Sequence, residues 1–296
     1  MAAPSSVAKP LVVIVGETGS GKSALAMELA ARFNGEIICA DSRTVYRGMN
    51  IGTAKPSRAD QTRIRHHLLD IVTPDQRFTA AEFKKLATQA IADIHNRGKL
   101  PIMAGGTGLY IDSVIFDYDF QQVADPARRT ELQKLTVPEL QAQLEAEGIG
   151  MPLNDKNPRH LIRALETGGV PSNKQALLPW TLVVGITIER EELKQRLSDR
   201  TAMMIDQGLE EEVKGLADKY GWESEALSAV GYKEWRAYFA GVQDLKQTQD
   251  LIIKNSLAYA KRQRTWFKRN KSIQWLSDPS RAVDLTTTLL NTFQIT

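Results

Sequence analysis

Residues 16–23 read Gly-Glu-Thr-Gly-Ser-Gly-Lys-Ser, which satisfies the G-x-x-x-x-G-K-[ST] pattern in full. An apolar run, Leu11 to Val15, precedes it, and a helical pattern, Ala24 to Arg32, follows. That order restricts the fold sharply. A buried strand must deliver the chain to a tight glycine-rich turn. A helix must then leave the turn with its unpaired N–H groups and the positive end of its dipole facing it. Gly16, Glu17, Thr18, Gly19, Ser20, Gly21, Lys22 and Ser23 are therefore expected to form a polyphosphate-binding loop. In it Lys22 neutralises a terminal phosphate and the Ser23 hydroxyl holds Mg2+.

Strand and helix keep alternating beyond the loop. Glu36 to Ala40 reads as a second strand. Thr79 to Arg97 reads as a helix: Thr79 and Glu82 make a capping box, Phe83, Leu86, Ala90 and Ile94 recur at helical spacing, and Gly98 stops it. Leu100 to Ala104 is a short buried strand that ends in Gly105-Gly106-Thr107-Gly108. From 120 to 180 the strand pattern disappears, and 125–147 and 158–167 read as helices. Leu182 to Ile188 returns to the sheet, followed by a long helix at 190–219 bent near Gly208, a second at 245–269, a short strand at 273–276 and a terminal helix. The expected class is α/β. It comprises a P-loop NTPase-like catalytic core over 1–119 and 181–296, a parallel sheet flanked by helices, plus a small all-helical insertion over 120–180.

Composition excludes more than it selects. A net charge of +3 over 296 residues is too small to argue for nucleic acid by itself. The single cysteine, Cys39, rules out an internal disulfide or a cysteine zinc cluster and fits a reducing cytosol. Residues 1–10 lack the apolar core of a signal peptide, and no apolar run is long enough to span a bilayer. A cytoplasmic protein without a membrane segment is expected. His66-His67 lacks a third ligand at helical spacing and does not read as a metal site.

Four groups of residues can carry chemistry. Asp41, at the carboxyl end of the second strand, stands where open parallel sheets bind ligands. It can act as a general base, bind Mg2+ through water, or cap its own loop in an Asx-turn. Gly105-Gly106-Thr107-Gly108 points to the same edge, as a close backbone approach to an anion or as a plain turn. The strand before it lacks the terminal acidic residue of many P-loop hydrolases, which argues against an ordinary ATPase or GTPase. Arg190, Arg196 and Arg200 can fold over phosphates or pair with Glu189, Glu191 and Glu192. Between Asp250 and Asp278 no acidic residue occurs, while Lys254, Lys261, Arg262, Arg264, Lys268, Arg269 and Lys271 do. Tyr259, Arg262 and Trp266 share one helical face, and Lys261, Arg264 and Lys268 another. The stripe is either a grip on RNA phosphates or a solvated face over buried aromatics.

The chain resembles the tRNA dimethylallyltransferase family, over nearly its whole length. Beyond the loop the resemblance rests on Ala40-Asp41-Ser42-Arg43-Thr44-Val45-Tyr46-Arg47-Gly48-Met49 and Ile51-Gly52-Thr53-Ala54-Lys55-Pro56. Further blocks are His67-Leu68-Leu69-Asp70, Gly105 to Tyr110, Arg163-Ala164-Leu165-Glu166, Val230-Gly231-Tyr232 and Tyr259-Ala260-Lys261-Arg262-Gln263. The resemblance implies that the loop holds the diphosphate of dimethylallyl diphosphate rather than ATP. It implies alkyl transfer to N6 of the adenosine immediately 3′ of the anticodon, with Asp41 as general base. Thr18, Lys22, Ser23 through Mg2+ and an arginine of the 190–200 helix, Arg200 ahead of Arg196, would stabilise the departing diphosphate.

The target base would flip out of the anticodon loop to reach the donor. Asp41, Ser42, Arg43, Thr44, Thr107, Arg159, His160, Leu161, Ile162 and Arg163 match family positions that contact tRNA. Lys261, Arg262 and Arg264 of the basic stripe are expected on its backbone, and a monomer is expected. Three positions depart from the family pattern: Glu17 for Pro, Thr44 for Gln and His160 for Arg. Two other functions compete, a P-loop small-molecule kinase and an RNA-binding relative without catalysis.

Overall fold

The computed structural model describes residues 9–120, 126–170 and 173–295. They form two compact units: a core that runs to Ile115 and resumes at Leu177, and an insertion over Phe116–Ala176. The core is built on six strands: β1 (Leu11–Gly16), β2 (Gly35–Cys39), β3 (His66–His67), β4 (Leu100–Gly105), β5 (Thr181–Ile186) and β6 (Gln274–Leu276). Their order is β3-β2-β4-β1-β5-β6 and every pairing is parallel. β1 lies between β4 and β5 with all six residues buried. Its unbroken apolar run follows from that position, because a strand covered on both faces has no solvent side to alternate toward.

Helix α1 (Lys22–Arg32) lays Leu25, Ala26 and Leu29 against Ile14, Ile37 and Ile102 of the sheet. Each fully buried leucine or isoleucine contributes roughly 1.5–3 kcal/mol. This packing fixes the helix whose first residue is Lys22. Two helices then lie between β2 and β4. One is the short α2 (Arg58–Arg63); the other is α3 (Ala80–Asn96), which starts at the Thr79–Glu82 capping box. Phe83, Ala87, Ala90 and Ile94 form its buried stripe, with Leu86 half-buried at the margin. After β4 comes α4 (Gly108–Ile115), which the sequence pattern hides. Six of its eight residues are buried, so it lacks the polar face that reveals an amphipathic helix.

The insertion contains α5 (Pro126–Leu132), α6 (Val137–Ala146) and α7 (Pro158–Thr167), with Leu132, Leu140, Leu144, Leu161, Ile162 and Leu165 at its centre. In the core, the helical region after β5 is split by Gly208 into α8 (Arg190–Asp206) and α9 (Leu209–Tyr220). Gly208 adopts φ 96°, a left-handed conformation that ends one helix and begins the next. α10 (Trp235–Phe239), α11 (Leu245–Phe267) and α12 (Arg281–Ile295) complete the core. Among the described residues no helix is long and apolar enough to cross a membrane.

Candidate active site

The carboxyl ends of β1, β2 and β4 bring together the phosphate loop, Asp41 and Thr107. Within the loop, Ser20 N donates to Glu17 O (3.2 Å) and Lys22 Nζ donates to the same carbonyl (2.7 Å). Gly21 caps α1 with φ 96° and no side chain, which leaves the helix N-terminus open to an anion. Burial pulls the Lys22 ammonium down to about 8 against the upward pull of Asp41; the Arg200 charge lowers it further and Glu17 raises it. The cationic form is the one that attracts phosphate, so anion affinity is complete below that value and lost above it. We expect kcat/KM for a diphosphate substrate to fall about tenfold per pH unit above pH ~8. A profile that stays flat to pH ~9.5 would mean that the Lys22 ammonium is not held below its ordinary range in the free protein.

The Ser23 hydroxyl is exposed in the cavity that Lys22 and Asp41 also line. Among the described residues no group of three or more His, Cys, Asp or Glu could hold a metal ion. The Ser23 oxygen fits the way Mg2+ is held, since that ion keeps several waters and takes substrate phosphates with one or two protein oxygens.

Two cavities meet at this edge. One, of about 270 Å³, is bounded by the phosphate loop, Cys39 and the end of β4. The other, of about 240 Å³, is bounded by Ser42, Arg43, the segment 228–233 and Arg262. Thr18, Asp41, Thr53, Ala54, Arg200 and Tyr259 line both and so form their common wall. Asp41 Oδ1 accepts from Arg43 N (2.8 Å), so the Asx-turn reading holds for that oxygen. Its other oxygen makes no hydrogen bond among the described residues. Arg200 donates to Thr18 Oγ1 (2.9 Å), and burial lowers its guanidinium pKa while Asp41 raises it. Arg196, in contrast, is exposed and pairs with Glu192 (2.6 Å), reaching only the Gly19 carbonyl of the loop (3.4 Å). Tyr259 is pushed up to about 12 by burial and by the Asp41 charge, so its phenol stays protonated.

The glycines after β4 have a reason that the sequence did not disclose. A Cβ on Gly106 would lie 2.1 Å from Gln263 Nε2, and one on Gly108 would lie 2.2 Å from Trp266 Cδ1. The close approach they permit is therefore that of α11. Gln263 uses it to donate to Gly106 O (2.9 Å) while its Oε1 accepts from Thr18 N (2.8 Å). Trp266 Nε1 donates to Asp112 Oδ2 (2.9 Å). Thr107 Oγ1 accepts from Ser42 N (3.0 Å), which ties the end of β2 to the start of α4.

A family model described as IPP transferase matches residues 44–270, a segment that begins beyond the phosphate loop. The chain belongs to the IPP transferase family. It is 43% identical over 281 residues to the tRNA dimethylallyltransferase of Anoxybacillus flavithermus, covering 90% of this chain and 89% of that protein. The crystal structure of the full-length tRNA isopentenylpyrophosphate transferase of Bacillus halodurans superposes with a TM-score of 0.75 at 35% identity, covering 96% of this chain and 98% of that one. A crystallographic study of a eukaryotic dimethylallyltransferase acting on tRNA gives a TM-score of 0.82 at 25% identity, covering 96% of this chain and 80% of that one.

The expected RNA contacts of this IPP transferase family member divide in the structure. Lys261 and Arg262 are exposed on α11, Arg159 and His160 are exposed on the first turn of α7, and Ser42 and Arg43 line the second cavity. Five others are placed differently. Leu161 and Ile162 are 0% and 5% exposed, and their side chains form the centre of the insertion. Thr44 is buried, directs its hydroxyl to Asp41 O (3.4 Å) and lines the phosphate-loop cavity instead. Arg264 turns from the basic face to bind Glu17. Arg163 lies 3.8 Å from Glu166, which also pairs with Arg129.

The sequence pattern assigned no role to Gln263 or Thr53, and it placed Tyr259 only among the aromatics of the basic stripe. The signal for Gln263 was available. It falls in the buried stripe of α11 with Ala260 and Phe267, and a buried amide needs partners.

Proposed function

We propose that this protein transfers a dimethylallyl group from dimethylallyl diphosphate to N6 of the adenosine immediately 3′ of the anticodon in tRNA, releasing diphosphate. One observation carries the reading: the phosphate-loop cavity and the second cavity share a wall on which Asp41, Thr18 and Arg200 stand. The donor diphosphate lies on the loop and the flipped base enters from the second cavity, past Ser42 and Arg43. The N6 lone pair forms a bond to C1 of the prenyl group, the C1–O bond breaks, and the electron pair leaves with diphosphate. Asp41 takes the N6 proton through the oxygen not held by Arg43 N. Lys22, Arg200 and the Thr18 hydroxyl stabilise the negative charge that grows on the leaving oxygen. The Ser23 hydroxyl would hold Mg2+, which when bound would supply neutralisation of part of the diphosphate charge.

The relatives named as tRNA dimethylallyltransferases support this chemistry, as does the carboxylate-free turn after β4. Arg159, His160, Lys261 and Arg262 are the exposed cations proposed to meet the RNA backbone, in a protein that acts as a cytoplasmic monomer.

The deciding experiment supplies radiolabelled dimethylallyl diphosphate, Mg2+ and unmodified tRNA to the full chain. Label in the tRNA, on the base 3′ of the anticodon, is the expected result. ATP turnover without tRNA would instead indicate the kinase. Binding of tRNA without label in any product would indicate the non-catalytic relative.

A further inference from the structure

Glu17 is a carboxylate in the second position of a loop built to receive a polyanion, and it is 4% exposed. A buried, unpaired negative charge there would oppose the ligand and would itself be costly. The structure shows how the conflict is relieved. Both carboxylate oxygens are held by the Arg264 guanidinium, Oε2 by Nε at 3.0 Å and Oε1 by the adjoining terminal nitrogen. Arg264 also donates to Ile188 O (3.3 Å), so it is fixed from a second side. The next residue along, Thr18, is held by the next residue back on the helix, Gln263, through its backbone N–H. Two consecutive loop residues thus engage two consecutive residues of α11. The two hydrogen bonds from the planar guanidinium fix the orientation of the Glu17 side chain as well as its charge.

We propose that Arg264 is a positioning residue for the donor site, made necessary by Glu17: it cancels the Glu17 charge and orients that side chain toward α11, so that the loop accepts diphosphate. This rests on the reading that the loop binds the donor's diphosphate. It assigns Arg264 to the donor site rather than to RNA contact, and it predicts that the size of the effect depends on the residue at position 17. Where position 17 carries a charge, loss of Arg264 is harmful. Where it does not, the loss is mild.

The test measures inorganic diphosphate binding to the full chain by calorimetry, with thermal melting of each variant as a folding control. Arg264→Gln is expected to weaken diphosphate binding about 30-fold or more, because it leaves the buried Glu17 charge unpaired beside the loop. Glu17→Gln leaves Arg264 with an uncancelled charge near the loop and is expected to tighten binding by about two- to fivefold. The double variant Glu17→Gln/Arg264→Gln is expected within about threefold of wild type, a rescue that a merely structural role for Arg264 would not give. Failure of wild type to bind diphosphate overturns the donor-site reading itself. Binding by wild type and Arg264→Gln within about threefold of each other overturns the inference alone. So does a double variant as weak as Arg264→Gln. If Arg264→Gln does not fold, the comparison of the double variant with Glu17→Gln decides. A loss of about 30-fold between those two means that Arg264 acts through something other than Glu17.

Discussion

Asp41→Asn is expected to slow prenyl transfer by about 10³-fold in single-turnover measurements, because positioned general-base catalysis contributes roughly 10²–10⁴. The substitution is unusually clean at this position. Asparagine keeps an Oδ1 that can accept from Arg43 N, so the Asx-turn that shapes residues 41–43 survives while the proton acceptor is lost. Affinity for tRNA, measured by filter binding, should stay within about threefold of wild type. An undiminished single-turnover rate would remove Asp41 from the base role. A matched collapse of tRNA affinity would instead make Asp41 a binding residue.

The arginines of α8 offer the second test. Arg200→Gln is expected to lower kcat/KM by about 10²-fold or more, the usual cost of removing a donor aimed at developing anionic charge. Arg196→Gln should cost no more than about threefold, since that side chain is exposed and pairs with Glu192 in an i,i+4 contact of small value. Steady-state titration of the donor with each variant separates the two. Equal losses would mean that Arg196 leaves Glu192 when the donor binds, and that the contact between Arg200 and Thr18 is not decisive.

The phosphate loop, the capped helix at Ala80–Asn96 and the parallel core were legible in the sequence because each writes a local pattern. The loop is eight contiguous residues, the capping box needs only Thr79 and Glu82, and a doubly covered strand shows as an apolar run. The site was only partly legible. Asp41 could be placed at a strand end, but its division of labour between two oxygens depends on Arg43 N. Arg200 and Arg196 lie four residues apart, one helical turn, and only the approach of Thr18 to one of them separates their roles. The basic stripe misled at Arg264, because helical spacing says which residues share a face and nothing about a carboxylate arriving from position 17. Leu161 and Ile162 fall in the stretch 159–163 that matches the family's tRNA contacts, yet their side chains form the centre of the insertion, which a match of position does not reveal.

The contact between Thr18 and Gln263 spans 245 residues. During synthesis the phosphate loop emerges ahead of its brace on α11, which follows roughly 12–50 s later at the usual elongation rate of about 5–20 residues per second. Until then Thr18 N and Gly106 O lack their partner amide, and Glu17 lacks its counter-charge. A chain interrupted before that helix would therefore carry the complete motif without a functioning donor cradle. The long-range tether makes donor capture a property of the finished polypeptide, so abortive translation products are expected to be inert rather than partly active.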